Sequence, residues 1–133
     1  YTIRTLEQQE AILESKLQSG FPVIVAEING EVEGFGMYAE FRFREAYKFT
    51  VEHSVYVSHN HQGLGIGKLL LTELIQLAKQ QGLHTMIGVI DSENQKSINF
   101  HHQFGFKTVG IIKESGFKFN RWLDSVFVQL ILE

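Results

Sequence analysis

Hydrophobic and polar positions in the first third of the chain follow first a helical and then a strand pattern. Residues 6–18 have apolar side chains at helical spacing, and Gly20 follows as a helix stop. Residues 21–28 and 31–41 are rich in strand formers and are separated by Asn29-Gly30, a pair that tolerates positive φ at both positions. This region therefore predicts a helix followed by an antiparallel hairpin.

A third strand is predicted over residues 49–57, where polar and apolar side chains alternate up to a glycine-rich segment. A helix is predicted over 68–81, and Gly82 fits its C-terminal cap. One face of this helix is apolar and carries Leu70, Leu74, Leu77 and Ala78.

The remaining pattern predicts a strand over 85–90, a short helix over 93–104 and two late strands. Ser92 is the expected N-cap of the short helix and Gly105 its stop. This order of elements predicts an α/β (α+β) fold with a mixed sheet and helices on its faces.

Composition narrows the class of protein. A chain of 133 residues with 44% hydrophobic residues and one Pro predicts a single domain over 1–133, without a linker or repeat. The net charge of −3 argues against nucleic acid as a partner. With no Cys and no membrane-length apolar run, we expect a cytoplasmic protein without a disulfide, a cysteine acyl-enzyme or a membrane partner.

The glycine-rich segment after the third strand is a candidate phosphate or pyrophosphate site. Its glycines can turn backbone N–H groups toward one point, and the next helix adds its unpaired N–H groups. A Walker loop would need Gly at Gln62 and a hydroxyl at Leu69, and a dinucleotide fingerprint would need Gly at Lys68. Both of these nucleotide motifs therefore fail on spacing.

The remaining pattern, Gln62-x-x-Gly65-x-Gly67 after a strand, resembles the acetyl-coenzyme-A loop of the GCN5-related N-acetyltransferases (GNAT family). The resemblance runs from about Arg4 to the C-terminus and is closest to the phosphinothricin and methionine sulfoximine acetyltransferase branch. Besides the loop, the matching segments are Thr50-Val51-Glu52-His53-Ser54-Val55-Tyr56-Val57, Asp91-Ser92-Glu93-Asn94, and Lys118-Phe119-Asn120-Arg121-Trp122-Leu123-Asp124.

The resemblance implies a GNAT fold, with a mixed, mostly antiparallel twisted sheet and helices on both faces. It also implies that the two central strands, which end at Val57 and Ile90, part at their C-terminal ends. It implies direct acetyl transfer from acetyl-CoA to the amino group of a small amino-acid-like acceptor, without a metal, by a homodimer. The alternative is an acetyl-CoA-binding regulatory or structural module with little turnover. Because family members begin with a further strand and helix, we expect this chain to lack an N-terminal segment.

The resemblance also implies which residues bind acetyl-CoA. They comprise the end of the third strand, the glycine loop and two polar residues of the last helix. These residues are Val55, Tyr56, Val57, Gln62, Gly63, Leu64, Gly65, Ile66, Gly67, Lys68, Asn94 and Ser97.

The resemblance implies that Glu52 accepts the amine proton. Strand alternation places Glu52 and Ser54 on one face and His53 on the other, so Glu52 and His53 should not both face one substrate unless a bulge intervenes. We favour Glu52 as the base. The alternative is an ordinary solvated carboxylate.

His101 follows Asn94 and Ser97 on one face of the last helix, at i, i+3 and i+7. The family position of His101 often carries a Tyr that is proposed to protonate the departing thiolate. His101 is therefore either this acid or a residue that only packs against the cofactor. The spacing of the histidines matches no recognised ligand pattern, so we expect no metal site built from them.

The segment Arg42-Phe43-Arg44 precedes the catalytic strand, and the resemblance implies that this connection helps to form the acceptor pocket. Arg can bind a carboxylate with two parallel hydrogen bonds, which would suit an amino-acid-like acceptor. The alternative is a charged turn at a sheet edge. The full acceptor-binding set is Arg42, Phe43, Arg44, Glu52, His53 and Ser54. Leu123 stands where some phosphinothricin enzymes have His, so a proposed second base is missing.

Overall fold

The computed structural model describes residues 2–5, 20–63 and 65–133. The described strands are β1 (Thr2–Thr5), β2 (Val23–Ile28), β3 (Glu31–Glu40), β4 (Thr50–Val57), β5 (Thr85–Asp91), β6 (Lys107–Lys118) and β7 (Arg121–Ile131). The described α-helices are α1 (Ile66–Gln80) and α2 (Gln95–Gln103), and short 3₁₀ turns span Glu45–Tyr47 and His59–His61.

The seven described strands form one sheet in the order β1-β2-β3-β4-β5-β7-β6. Every described neighbouring pair is antiparallel except β4 and β5, which are parallel. The predicted mixed, mostly antiparallel sheet is therefore confirmed. β1 pairs with β2 and was not predicted from the pattern, while the predicted helix over 6–18 lies outside the described residues.

The predicted hairpin is formed by β2 and β3. Its two turn residues, Asn29 and Gly30, have φ angles of 54° and 83°, as a two-residue turn of this kind requires. β3 then pairs with β4 from Glu40 opposite Val51 to Gly34 opposite Val57.

The two central strands separate, as expected from the resemblance. β4 and β5 pair only from Thr50 opposite Thr85 to Glu52 opposite Ile87. Beyond these residues β4 stays paired with β3, and β5 stays paired with β7 up to Asp91. Each strand follows a different neighbour, so a gap opens between them.

The main core lies between the sheet and the helices. α1 begins two residues before the predicted start and buries Ile66, Leu70, Leu71, Leu74 and Ala78. Strand residues that pack in the same cluster include Ile24, Tyr38, Val51, Met86 and Val128, and α2 contributes Ile98. Burial of this apolar surface holds α1 beside the gap, with its N-terminus at the end of β4.

The predicted cap of the last helix is wrong by two residues. The side chain of Asp91 accepts a hydrogen bond from the Glu93 N–H at 2.9 Å, and its carbonyl accepts one from the Asn94 N–H at 2.9 Å. This turn keeps Ser92 and Glu93 out of the helix. Asn94 is the N-cap instead, and its Oδ1 accepts a hydrogen bond from the Ser97 N–H at 3.1 Å.

Candidate active site

A cleft of about 590 Å³ occupies the gap between β4 and β5. One wall is β4, the opposite wall is the second half of β5, and α2 and the glycine loop close its ends. The lining residues named in the sequence analysis are His53, Ser54, Val55, Val57, Gln62, Gly63, Gly65, Gly67, Lys68, Asn94, Ser97 and His101. The cleft therefore gathers most of the predicted cofactor site from segments that are distant in the chain.

The glycine loop lies at the C-terminal end of β4, directly before α1. Gly63 and Gly65 have φ angles of 86° and 83°, which other residues rarely adopt. The N–H groups at the start of α1 have no partner within the helix, so this end of the cleft favours an anion. Lys68 and Lys96 also line the cleft. The sequence analysis missed Lys96, because nothing in its local pattern separates it from a surface lysine.

A small hydrogen-bonded cluster holds the loop against β3, and sequence reasoning missed it. Ser58 Oγ donates to Glu33 Oε2 at 2.7 Å and lies 2.9 Å from His61 Nδ1. His61 Nδ1 is 3.0 Å from the same Glu33 oxygen, and the Ser58 N–H donates to the Glu33 carbonyl at 2.7 Å. Glu33 precedes Ser58 by 25 residues, so only the pairing of β3 with β4 brings them together.

Two buried histidines meet at the floor of the cleft. The Nε2 atoms of His53 and His101 are 2.9 Å apart. His53 Nδ1 lies 3.0 Å from the carbonyl oxygen of Ile87, and His101 Nδ1 lies 2.8 Å from that of Ser97. Burial lowers the pKa of both rings, and for His53 burial together with the charge of His101 lowers the pKa to about 4.

Glu52 is the last residue of β4 that pairs with β5, and the two central strands part there. Its side chain is half-buried and points to the face opposite His53, as the alternation predicted. Burial raises the pKa of its carboxyl above the ordinary value, and no described residue forms an ion pair or hydrogen bond with it. A carboxylate with a raised pKa is a better proton acceptor near neutral pH.

Some predicted site residues lie outside the cleft. Tyr56 points to the other face of β4 and stacks on Phe35, with ring centroids 5.5 Å apart, so its side chain does not line the cofactor cleft. Ile66 is 1% exposed and belongs to the core. Leu64 lies outside the described residues.

The predicted acceptor segment also lies outside the cleft. Arg42, Phe43 and Arg44 are exposed in the connection before β4, at the end of the strand that carries Glu52. The Arg42 guanidinium carbon lies 5.3 Å from the centre of the Tyr47 ring. The segment therefore does not touch the donor cleft and faces solvent near the start of β4.

Two of the segments that carried the resemblance contact each other beside the cleft. Arg121 forms a bidentate ion pair with Glu93, with one contact of 2.8 Å between Arg121 Nη1 and Glu93 Oε2. The Ser92 N–H donates to the Asp124 carbonyl at 3.0 Å. The β6–β7 turn thus supports the loop before α2, while Leu123 is buried and Trp122 is exposed.

Neither a membrane helix nor a metal cluster is found within the described ranges. No helix there is long and apolar enough to cross a membrane. No group of three His, Asp or Glu side chains there could hold a metal ion.

The glycine loop, the splayed strands β4 and β5 and the helices α1 and α2 beside the cleft define an acyl-CoA-dependent transferase of the GNAT class. The model of the acetyltransferase (GNAT) family matches residues 2–106, and the chain belongs to this family. The protein is an acetyl-CoA-dependent N-acetyltransferase, with acetyl-CoA as its co-substrate.

Similar proteins come from the branch that the sequence analysis indicated. An L-methionine sulfoximine/L-methionine sulfone acetyltransferase of Salmonella typhimurium is 43% identical over 120 residues, which is 90% of this chain and 70% of the relative. A phosphinothricin N-acetyltransferase of Streptomyces viridochromogenes is 38% identical over 114 residues, 86% of this chain and 62% of the relative.

The solved structure of a phosphinothricin acetyltransferase from Sinorhizobium meliloti in complex with acetyl-CoA has the same fold. It superimposes with a TM-score of 0.85 at 41% identity, covering 92% of this chain and 67% of that one. These matches favour an enzyme over the alternative of a binding module.

Proposed function

We propose that the protein acetylates the α-amino group of a small amino acid of the methionine sulfoximine, methionine sulfone or phosphinothricin type. This proposal depends mainly on one observation, which concerns the position where the pairing of β4 with β5 ends. Glu52 lies there on one face of β4, and the donor cleft opens from there on the other. Two relatives named for these acceptors are 43% and 38% identical to this chain, over 120 and 114 residues.

The reaction follows from this arrangement. The glycine loop binds the pyrophosphate of acetyl-CoA, and the pantetheine arm enters the gap between the strands. Backbone groups of β4 beyond Glu52 no longer pair with β5, so those that face the gap are free to hold the thioester carbonyl. Both reactants are thereby held at one point, which itself lowers the barrier.

Glu52 is the proposed general base. It takes one proton from the attacking amine as the N–C bond forms, directly or through water. The C–S bond breaks and its electron pair goes to sulfur. The acetyl group passes straight to the amine, because the chain has no Cys to carry it.

Arg42 and Arg44 are the proposed carboxylate contacts of the acceptor. Both are exposed at the end of β4 that carries Glu52, and neither lies in the donor cleft. An α-carboxylate held there would leave the amine to approach Glu52. The bidentate geometry of Arg suits a carboxylate better than that of Lys.

We further infer a homodimer that works in the cytoplasm. The β6–β7 turn region exposes Phe117, Phe119 and Trp122, which are 57%, 80% and 61% accessible, and a second copy of the chain would cover them. Acetyl-CoA carries several phosphate charges and does not cross a membrane unaided, so the reaction requires the compartment that holds it.

The test is an acceptor screen with acetyl-CoA that measures thiol release and the acetylated product. Methionine sulfoximine, methionine sulfone and phosphinothricin should be acetylated, and their decarboxylated analogues should react at least about tenfold more slowly, the effect of losing one charge-assisted contact. Arg42→Gln and Arg44→Gln should raise KM for the amino acids, and Lys48→Gln, in the same connection, is the matched control. Equal rates with and without the carboxylate would contradict the proposal.

A further inference from the structure

His61, in the turn between β4 and the glycine loop, is held through only one of its two ring nitrogens. Its Nδ1 lies 2.9 Å from Ser58 Oγ and 3.0 Å from Glu33 Oε2. Its Nε2 has no hydrogen-bond partner among the described residues, and His61 lines the donor cleft directly before Gln62. Nε2 is therefore the ring nitrogen that is left for a molecule bound in the cleft.

The contacts of this cluster determine which nitrogen of a neutral His61 ring carries the proton. The Ser58 hydroxyl has a single hydrogen, which it donates to Glu33 at 2.7 Å. Ser58 Oγ can then only accept from His61, and an ionised carboxylate also only accepts. Nδ1 must therefore carry a proton, and in the neutral ring Nε2 has a bare lone pair.

A bare lone pair at Nε2 is unsuitable for the ligand that the glycine loop binds. A pyrophosphate offers only negative oxygens, which a lone pair repels and an N–H attracts. A second proton makes the ring an imidazolium, with one N–H directed at Glu33 and the other available to a phosphate oxygen. Hydrogen bonds between charged partners of this kind are among the strongest in proteins.

We propose that His61 takes up one proton when acetyl-CoA binds, and that the Nε2–H of the resulting imidazolium donates to a pyrophosphate oxygen of the coenzyme. The proton comes from solvent and returns to it when the coenzyme leaves, so the site is restored after each turnover. The inference rests on the proposed binding of the pyrophosphate at the glycine loop, but not on the identity of the acceptor.

The charges around the ring favour the second proton in the complex over the free enzyme. Glu33 on β3 stabilises the imidazolium, and their contact is partly shielded, since the side chains are 17% and 27% exposed. Lys68 and Lys96 act against another positive charge in the cleft until the phosphates of the coenzyme neutralise them. The other titratable groups that line the cleft are Asp91 on β5, His53 on β4 and His101 on α2, and His59 is exposed in the same turn.

Two substitutions separate the roles of the two ring nitrogens. His61→Asn keeps an N–H group near the position of Nδ1 and leaves nothing at Nε2. His61→Gln places an uncharged N–H group near the position of Nε2. Neither side chain can take up a proton. His59→Asn is the matched control, because His59 is exposed in the same turn and does not line the cleft.

Calorimetric titration with acetyl-CoA at pH 7.5, in buffers with different heats of ionisation, counts the protons taken up on binding. The wild type should take up about half a proton or more beyond what His61→Asn takes up, because a histidine is ordinarily neutral at this pH and two anions flank it in the complex. Acetylated dephospho-CoA, which keeps the pyrophosphate but lacks the 3′-phosphate, should give the same difference between the two proteins.

The affinity should follow the same proton. Between pH 6.5 and pH 9 the Kd of acetyl-CoA should rise about tenfold more in the wild type than in His61→Asn, because one linked proton changes Kd by at most about tenfold per pH unit. His61→Gln should bind more tightly than His61→Asn, since its amide replaces the missing donor, but without the extra proton. His59→Asn should match the wild type in both measurements.

Equal proton uptake in the wild type and His61→Asn would overturn the proposal, as would an equal rise of Kd with pH. Should His61→Asn fail to fold, His61→Gln serves for both comparisons with the same expected differences. An acceptor screen without a product would leave the proton count intact, so failure of the proposed acceptor can be distinguished from failure of this inference.

Discussion

At the scale of single residues, the alternation of β4 separates two chemical groups that are adjacent in the chain. Glu52 and His53 point to opposite faces, and this could be predicted from strand parity alone. The contact between His53 and His101 could not. It spans 48 residues and depends on the rotation of α2 and on the space that Gly88 leaves. Parity thus placed Glu52 and His53 on opposite faces of β4 but left the partner of His53 unknown.

Replacing Glu52 by Gln should lower the rate of acetyl transfer by about 10²- to 10⁴-fold at saturating substrates, because the amine loses its base. The same change should stabilise the fold at pH 8. The pKa of Glu52 is raised in the folded state, so its charged form costs stability at pH values above that pKa, and the cost disappears below the ordinary pKa of a Glu.

The measurement is kcat over a pH series, together with Tm at pH 4 and pH 8. The gain in Tm should be present at pH 8 and absent at pH 4. Glu40→Gln is the matched control, since Glu40 is exposed at the end of β3. A Glu52→Gln enzyme with wild-type kcat would remove Glu52 from the mechanism.

At the scale of elements, the site exists because the pairing of two strands stops early. Local pattern and turn chemistry predict three of the elements: the hairpin at Asn29-Gly30, strand β4 and helix α1. The N-terminus of α2 does not, because the Asp91 side chain competes with Ser92 for the first turn and moves the cap to Asn94. The cluster of Glu33, Ser58 and His61 also escapes local pattern, since it depends on strand register.

This loop cluster should control the affinity for coenzyme A. Ser58→Ala removes the hydrogen bond to Glu33, and a loop that is less well ordered must lose more entropy on binding. We expect Kd for coenzyme A to rise about fivefold to tenfold, corresponding to about 1 kcal/mol for one hydrogen bond, with little change in kcat.

Calorimetric titration with coenzyme A measures the effect directly. Glu33→Gln should weaken binding in the same direction, whereas Glu31→Gln, exposed on the same strand, should bind as the wild type does. Wild-type affinity in both Ser58→Ala and Glu33→Gln would show that the cluster has no part in holding the loop.

At the scale of the whole molecule, the last hairpin links the active site to the outer surface. Arg121 and Asp124 hold the loop before α2 from one side of the β6–β7 turn. The same turn exposes Trp122 packed edge-on against Phe117, with ring centroids 4.8 Å apart. A contact that covers these rings would therefore also steady the residues that hold the Asn94 end of the cleft.

Trp122→Lys should consequently separate the proposed homodimer into monomers, because it places a charge in an apolar contact. Sedimentation at assay concentration should show one species at twice the chain mass for the wild type and at the chain mass for the variant. Val32→Lys makes the same change at an exposed apolar position on the β2–β3 hairpin and should leave the dimer intact. A wild type that sediments as a monomer would rule out this dimer. Any effect of Trp122 on the cleft would then have to pass through contacts within its own chain.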